Sequence, residues 1–375
     1  MAKGVHLTLM IGPAVPVAVP QDVLNALTSV QVTSRTDGPS AFQLTFTVST
    51  RSPLQTIFML SAGAAIPLVR VVIVVTVNGA PEVLMDGVMT NHQITPGGEG
   101  GQSTLTVTGE DLTRVMDYLN FDGIPYPAMS PDVRVLAILA KYALFGVVPF
   151  VVPSVLIDVP IPTEIIPRHQ GTDLQYIRQL ADEVGYVFYV DPGPAPGSSV
   201  AYWGPEVKVG MPQPALNVNM DAHTNVESLN FSYDSESKKI PVILIQNLAS
   251  KVPIPIPIPD ITPLNPPLGA VPPIPKAIEI IRNGAKLSPV RAALVGLAKA
   301  ARTADALSAN GSLDVLRYGR VLKPRRLVGV RGAGEAFDGL YYVKSVTHDI
   351  KRGEYKQSFA LGRNGIVSTL SKVPA

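Results

Sequence analysis

The side chains best suited to metal binding or catalysis are dispersed along this sequence. Histidine occurs at His6, His92, His169, His223 and His348. These positions form none of the spacings HxH, HxxxH or HExxH that bring two imidazoles to one metal ion. Cysteine is absent, which excludes disulfides, thiolate metal sites and a cysteine nucleophile. The sequence therefore predicts no metal site and no cofactor.

Carboxylate pairs and nucleotide-binding loops are missing as well. A glycosidase needs two carboxylates that converge on one bond, but Asp182 and Glu183 are adjacent on a predicted helix and point in different directions. The motifs GxSxG, GxxxxGK(S/T) and GxGxxG do not occur. The glycine-rich segment 97–101 has no lysine and no following helix, and is interpreted as a hairpin tip. We predict no catalytic residues and no enzyme activity.

A small basic cluster, Lys323, Arg325, Arg326 and Arg331, lies near a predicted strand. No aromatic residue is interleaved among them and the net charge of the chain is only +2, so we predict no nucleic-acid specificity. A solvated or inter-subunit face is the simpler interpretation. The single tryptophan, Trp203, is expected to be an anchor at a core edge or an interface.

Composition indicates a large folded chain made of short elements. The 375 residues are 46% apolar and 16% charged, and 36 of them are proline. That proline content favours turns and short strands over long helices. The apolar segments 54–77 and 145–162 are interrupted by Arg70 and by prolines, so neither is predicted to span a membrane. The N-terminus lacks the pattern of a signal peptide.

The first β region is expected to cover 1–110. Strands are predicted at Val5–Ile11, Val30–Ser34, Phe42–Ser49, Val69–Val77, Glu82–Met89 and Ser103–Gly109 from alternating or β-branched runs. Asn78-Gly79 predicts a tight hairpin. Six strands with short loops indicate a small antiparallel barrel or sandwich.

The middle region, 111–222, is predicted to be a helical and α/β insert. A short helix is expected at Asp111–Tyr118, and a second begins at Ser130-Pro131. For the second helix we predict a buried stripe of Val133, Leu136, Ala137, Ala140 and Leu144. A third helix is predicted from an N-cap at Thr172 to a stop at Gly185, with Leu174, Ile177, Leu180, Ala181 and Val184 buried. Strands Val187–Val190 and Val200–Trp203 follow.

The last region, 223–375, is predicted to be mainly β. The segment 222–233 and Ile240–Gln246 begin it, and Leu322–Gly329, Gly339–His348 and Tyr355–Leu361 close it. The proline-rich segment 252–275 is expected to be extended and polyproline-like, since alternating proline prevents a helix or a central strand. The segment 289–307 is predicted to be a helix that ends near Asn310-Gly311.

Two segments resemble a known family. Residues 171–189, Gly-Thr-Asp-Leu-Gln-Tyr-Ile-Arg-Gln-Leu-Ala-Asp-Glu-Val-Gly-Tyr-Val-Phe-Tyr, are similar to the "SDLDFLRRLAEEEGYxFY"-like segment of tail hub proteins. Residues 322–332 and 339–348 resemble the last barrel of the same proteins. This is the late control protein D family of contractile phages, which includes the hub half of type VI spike proteins and the hubs of contractile injection systems. The resemblance is good over 165–235 and 315–365 and weak over 1–115.

The resemblance implies a structural baseplate hub. In that family three copies form a ring, each copy gives two tube-like β-barrels, and the ring adapts a hexameric tube to a trimeric spike. Carried over here, the first barrel is 1–110, the insert 111–222, and the second barrel lies in 223–375, at about 225–248 plus 312–365. The implied fold is α+β, mainly β. The family pattern assigns no role to 252–275 or 289–307.

The partners implied are a homotrimer, a spike protein, an inner tube or tube-initiator protein and other baseplate proteins. The chain ends at Ala375, soon after the last barrel, so a separate spike tip is expected. We also expect assembly in the cytoplasm into a phage tail or an injection particle. Two other function classes stay open from the residues alone: a tail-associated cell-wall hydrolase, and a carbohydrate-binding β module.

Overall fold

The structure is a computed structural model of the chain. It describes residues 4–13, 15–48, 68–97, 102–154, 161–163, 166–236, 238–246, 253–257, 264–281, 296, 305–370 and 373. Everything below concerns these residues. Most of the helix predicted at 289–307 lies outside them, as do parts of the glycine-rich tip and of the proline-rich segment.

Alternating apolar residues form the strands of the first β region. Its elements are β1 (Val5–Gly12), β2 (Val17–Ala18), α1 (Gln21–Ala26), β3 (Leu27–Arg35), β4 (Ala41–Val48), β5 (Arg70–Val77), β6 (Ala80–Thr95) and β7 (Ser103–Asp111). All six predicted strands are therefore present, and β6 runs six residues past the predicted Met89. The β5–β6 hairpin turns at Asn78 and Gly79, whose φ angles are 50° and 84°. These left-handed values are what an Asn-Gly turn requires.

The middle region carries the longest helix. Its elements are a 3₁₀ helix (Leu112–Asp117), α2 (Pro131–Leu139), a 3₁₀ helix (Ala140–Phe145), β8 (Val147–Val151), α3 (Asp173–Val184), β9 (Val187–Pro192), β10 (Ser199–Gly204) and β11 (Gln213–Asn217). Thr172 caps α3 in a capping box with Gln175, and Gly185 ends it at φ 75°. The predicted N-cap, stop and buried stripe of α3 are confirmed.

The last region returns to β structure. Its elements are a 3₁₀ helix (Asp221–His223), β12 (Ser228–Tyr233), β13 (Lys239–Gln246), β14 (Pro253–Pro257), β15 (Gly269–Val271), β16 (Ala277–Ile281), β17 (Leu307–Asp314), α4 (Val315–Tyr318), β18 (Leu327–Arg331), β19 (Gly339–Lys351), β20 (Glu354–Arg363) and β21 (Ile366–Ser368).

One large sheet of 13 strands contains strands of the first and last regions and β11 of the middle region. Its main path has the order β12-β17-β20-β19-β3-β4-β7-β6-β5-β1-β2. β18 joins it through β19, and β11 joins through β18. The architecture is mainly β, as the sequence predicts. One apolar cluster fills the sheet's inner side and draws residues from both ends of the chain, among them Val32, Phe46, Val75, Tyr341 and Phe359. Burial of this cluster is the main stabilising contribution to the fold.

The large sheet contains the same five-stranded arrangement twice. The first half has the order β3-β4-β7-β6-β5, and the second half has β12-β17-β20-β19-β18. The strands also follow one another in the same chain order. Each half has a register shift at the same place: between Met89 and Asn91 in β6, and between Val343 and Ser345 in β19.

The insert has its own core behind a three-stranded sheet of order β8-β10-β9. Here α2 and α3 pack their apolar sides against Val147, Val190 and Trp203. Trp203 is fully buried and forms an edge-to-face contact with Tyr186 at a ring distance of 4.9 Å. The tryptophan is thus a central core residue of the insert and not the edge anchor that the sequence suggests.

The predicted stripe of α2 is wrong. Val133, Leu136 and Leu144 are exposed by 43%, 42% and 75%, and Ala137 and Ala140 are exposed too. The buried side instead contains Arg134, Val135, Ile138 and Leu139, with Tyr142 in the following turn. Both sides of this helix are apolar at helical spacing, so periodicity alone does not decide which one faces the core.

Three further predictions for the last region need correction. Leu307–Asp314 is strand β17, so Asn310 and Gly311 lie within a strand and not at a helix end. The strand predicted from Leu322 begins only at Leu327, because a turn in which Arg325 has φ 59° precedes it. β13 does not join the large sheet; it is the centre of a separate sheet of order β14-β13-β16.

Within the proline-rich segment, two of the described stretches are strands, whereas residues 264–268 include a turn and a bend. β14 (Pro253–Pro257) is an edge strand that pairs antiparallel with β13, with Ile254 opposite Ile245 and Ile256 opposite Ile243. Proline has no N–H to donate, so alternating prolines suit an edge position and exclude a central one. Farther along, Asn364 Oδ1 accepts from the N–H groups of Leu268 and Gly269 at 3.0 Å, which fastens β15 near the end of the chain.

Candidate functional site

The two halves meet at a strand pair that joins β3 to β19. Residues from Ser29 to Arg35 pair antiparallel with residues from Lys351 to Ser345. On the outer face of this junction, the Gln31 amide Nε2 donates to Asp349 Oδ1 at 3.0 Å. The hydroxyls of Thr33 and Thr347 are also 3.0 Å apart. The junction is therefore a continuous sheet with matched polar pairs outside.

The inner face of the junction is buried. His348, opposite Val32, is 3% exposed, and its Nδ1 lies 2.8 Å from the hydroxyl of Tyr355. Burial lowers the pKa of His348 to about 3. The imidazole is therefore neutral at physiological pH and serves the packing of the junction, as the sequence suggests for a structural residue.

A buried ion pair docks the insert onto the first half. The guanidinium of Arg70 on β5 donates from Nε to Asp86 Oδ1 at 2.7 Å and from Nη2 to Oδ2 at 2.6 Å. Both side chains are almost fully buried. Arg70 Nη2 also donates to the carbonyl of Gly197, and Ser199 Oγ donates to Asp86 Oδ2, both at 3.0 Å. The insert loop before β10 is thus held by the same two charges.

The predicted basic cluster is divided by the structure. Lys323 pairs with Glu82 at 2.5 Å and Arg325 pairs with Asp191 at 2.7 Å. Arg325 also lies over the ring of Tyr189, 4.1 Å from its centre. Arg326 is exposed and lies farther along the same segment. Two of the four basic residues therefore link structural regions, since they bind partners in the first half and in the insert.

A buried polar network lies inside the insert. Asp173, at the start of α3, accepts from the Tyr142 hydroxyl at 2.6 Å and from Lys141 Nζ at 2.8 Å. His169 Nε2 is 3.4 Å from Asp173 Oδ1, and its Nδ1 is 3.0 Å from the Tyr126 hydroxyl. His169 is 1% exposed, and burial lowers its pKa while Asp173 opposes the shift. The network links the start of α3 to the turn after α2 and to Tyr126.

The other histidines and the paired acids do not form a site. His6, His92 and His223 are exposed and lie on β1, on β6 and in a 3₁₀ turn. Asp182 and Glu183 lie side by side on α3. Within the described residues, no group of three or more His, Cys, Asp or Glu side chains is arranged to hold a metal ion.

A cleft of about 710 Å³ separates the insert from the large sheet. Tyr186 and Tyr189 line one wall, and Tyr342 lines the other. At its edge Asp305 binds Lys344 Nζ at 2.8 Å and lies 3.7 Å from Lys208 Nζ. Asp305, Lys344 and Lys208 are therefore paired with one another, whereas Glu206 Oε2 in the same cleft is buried without a hydrogen-bond partner.

The described part of the chain has several open surfaces, and two of them bear on partner binding. One is apolar: the outer side of α2 together with Val148 and Phe150 on edge strand β8, which are exposed by 52% and 57%. The other consists of unpaired strand edges at β12 and at the C-terminal part of β6. Monomeric proteins rarely leave such surfaces open. Sequence periodicity missed both, because exposure of an edge depends on the neighbouring strand.

Among the described helices, none has both the length and the apolar character to cross a lipid bilayer.

Solved structures with the same fold come from phage tails and type VI secretion. A tail protein from Neisseria meningitidis MC58 aligns with a TM-score of 0.63 at 14% identity, over 97% of this chain and 98% of that chain. The 43 kDa tail protein of prophage MuSo2 from Shewanella oneidensis gives 0.61 at 14% identity, over 96% and 98%.

A third structure is the E. coli c3393 protein, a component of the type VI secretion system with structural similarity to T4 bacteriophage tail proteins gp27 and gp5. It gives a TM-score of 0.50 at 13% identity, over 93% of this chain and 76% of that chain. No protein-family model and no curated protein matches the sequence.

The chain therefore has the fold of phage tail proteins. Its resemblance to the late control protein D family, first indicated by residues 171–189 and 322–348, is confirmed at the level of the fold.

Proposed function

We propose that this chain is the structural baseplate hub of a contractile tail-like particle. In this proposal three copies form a ring that joins a hexameric inner tube to a trimeric spike, and each half is one tube-like barrel. Partners are the spike protein, the inner tube or a tube-initiator protein, and other baseplate proteins. The chain acts by symmetry matching and load bearing, without catalysis. Assembly takes place in the cytoplasm.

One observation carries the proposal: the same five-stranded arrangement occurs twice in one chain, within the fold of phage tail proteins. A chain with two equivalent halves presents two equivalent surfaces. Three such chains therefore offer six equivalent positions to a six-fold tube while keeping three-fold symmetry toward a spike. The relation of one fold neighbour to type VI secretion and to T4 tail proteins supports the same assembly class.

The two rival classes fit the described residues less well. A cell-wall hydrolase needs an accessible acid and base, yet the Asp173–His169 contact is buried in the insert. A carbohydrate-binding module needs open aromatic platforms and unpaired polar groups. Two of the tyrosines that line the cleft, Tyr186 and Tyr342, are only 8% and 4% exposed.

Light scattering on the purified protein tests the proposal, first alone and then after co-expression with a neighbouring spike candidate. The expected result is a trimer, or a complex of three chains with three spike chains. A monomer at all concentrations that does not bind the spike would overturn the hub assignment. Release of fragments from peptidoglycan by the purified protein would overturn the statement that the chain is not an enzyme.

A further inference from the structure

We infer that the free edge of β12 in one copy pairs with the free edge of β6 in a second copy of this chain, as β3 pairs with β19 within one copy. This inference rests on the proposed function and goes further by naming the two strands and their register. With this pairing, the large sheets of neighbouring copies join into one continuous antiparallel sheet around the ring.

The two halves of the large sheet are equivalent in strand order and in register. Across the first half, Gln31, Gln43, Thr108 and Asn91 lie in one row of paired residues. Across the second half the corresponding row is Asn230, Asn310, Ala360 and Ser345. In each half the register shift lies directly beside this row, so the two rows occupy the same structural position.

Each strand of the β3–β19 junction has an equivalent strand in the other half. β12 in the second half corresponds to β3 in the first, and β6 corresponds to β19. β3 and β19 pair with each other within the chain, whereas their counterparts β12 and β6 do not. Within the described residues, no strand covers the outer edge of β12, and none covers β6 beyond Met89 on the side away from β7.

The register proposed for β12 and β6 between two copies follows from the register of β3 and β19 within one chain. Within the chain, Thr33 lies opposite Thr347 and Val32 lies opposite His348. The same register, transferred to β12 of one copy and β6 of another, gives four central pairs. They are Asn230 with Thr95, Ser232 with Gln93, Phe231 with Ile94, and Tyr233 with His92.

The side chains at these positions suit the pairing. Ile94 and Tyr233 are exposed by 45% and 37% in the single chain, although both occupy strand positions of the kind that the β3–β19 junction buries. On the outer face, Ser232 and Gln93 correspond to the hydrogen-bonded threonines at 3.0 Å. None of the residues in the four pairs carries a formal charge at neutral pH with histidine neutral. Lysine and proline, which usually block edge pairing, are absent from β12.

Cross-linking tests the register, because the natural chain has no cysteine. The test protein carries Ser232→Cys with Gln93→Cys and is treated with a short bis-maleimide. The matched control carries Thr33→Cys with Thr347→Cys, the equivalent pair within one chain. Both proteins are compared by denaturing gel electrophoresis and by light scattering before treatment, each beside its two single-cysteine variants.

We expect covalent multimers from the test protein, an intramolecular link without a mass increase from the control, and no multimers from single variants. If light scattering shows the same assembly but the denaturing gel shows no cross-linked multimers, the β12–β6 pairing is overturned and the hub proposal stands. A monomer that fails to cross-link at any concentration overturns the pairing. A trimer that binds neither spike nor tube but does cross-link supports the pairing and counts against the proposed function.

Discussion

The first and second halves of the large sheet share strand order and register but differ in how their edges are covered. β3 is an inner strand of the sheet, and its Val30 and Val32 are 2% and 0% exposed. At the equivalent positions of β12, Leu229 and Phe231 are only half-buried. Among the described residues, one architecture therefore gives an internal strand in one half and an edge strand in the other. The proposed pairing between copies removes this difference.

A second difference concerns the insert. In the first half, Arg70 and Asp86 form the buried ion pair that holds the insert loop. By the shared register, the second half has Leu327 and Leu340 at these positions, and they pack with Leu268 and Tyr342. Charge therefore fixes the insert loop in the first half, whereas apolar contacts hold the Leu268 segment at the equivalent position of the second half.

The largest effect is expected from breaking this ion pair. Asp86→Leu leaves the Arg70 guanidinium buried without its carboxylate, and we expect a loss of about 3–5 kcal/mol in the free energy of unfolding. The double variant Arg70→Leu/Asp86→Leu imitates the second half and should recover most of the loss. Urea unfolding followed by the fluorescence of Trp203, which is buried in the insert, measures both.

Equal destabilisation in the single and double variants would contradict this interpretation. In that case the hydrogen bonds to Gly197 and Ser199, and not the compensation of charge, would hold the insert.

A smaller effect is expected from pH at the junction. The pKa of His348 in the folded chain is about 3, below its ordinary value of about 6.5, so the unfolded state binds more protons. This contribution to stability is complete above pH 6.5 and is lost as the pH falls toward 3. The slope is about 1.4 kcal/mol per pH unit between pH 6 and pH 4.

His348→Gln keeps a hydrogen-bonding group beside Tyr355 and removes the titration. We expect the variant to have a flatter dependence of the free energy of unfolding on pH, measured by urea unfolding from pH 7 to pH 4. The first half has Ile94 at the equivalent position, so an Ile94→Val variant is the matched control and should keep the natural slope. Identical slopes in all three proteins would show that the pKa of His348 is not lowered in the folded chain.

The smallest effect on folding is expected at the free edge. Ile94 is exposed in the single chain, so Ile94→Lys should change the free energy of unfolding of the monomer by no more than about 0.5 kcal/mol. A charge facing a second copy should still weaken association at least tenfold. Sedimentation over a concentration series measures association, and Thr90→Lys on the same strand is the control. Unchanged association would contradict the use of this edge.

Local sequence patterns predicted part of the fold correctly. The strands β1 and β3 to β7 and the helix α3 follow from local patterns of alternating or helical spacing, whereas the short strand β2 was not predicted. The Asn78-Gly79 hairpin is equally local. The hub-like segments at 171–189 and 322–348 were enough to indicate the fold that the solved structures confirm.

The sequence alone thus determined a mainly β chain with an inserted helix–hairpin unit and with no cysteine chemistry. Tertiary structure decided which apolar side of α2 faces the core, that Trp203 is central to the insert, and that Lys323 and Arg325 are paired. It also decided that β3 is covered on both edges, whereas no strand among the described residues covers the outer edge of β12. These properties depend on partners distant along the chain, such as β19 against β3, and no local period of two or 3.6 residues encodes a distant neighbour.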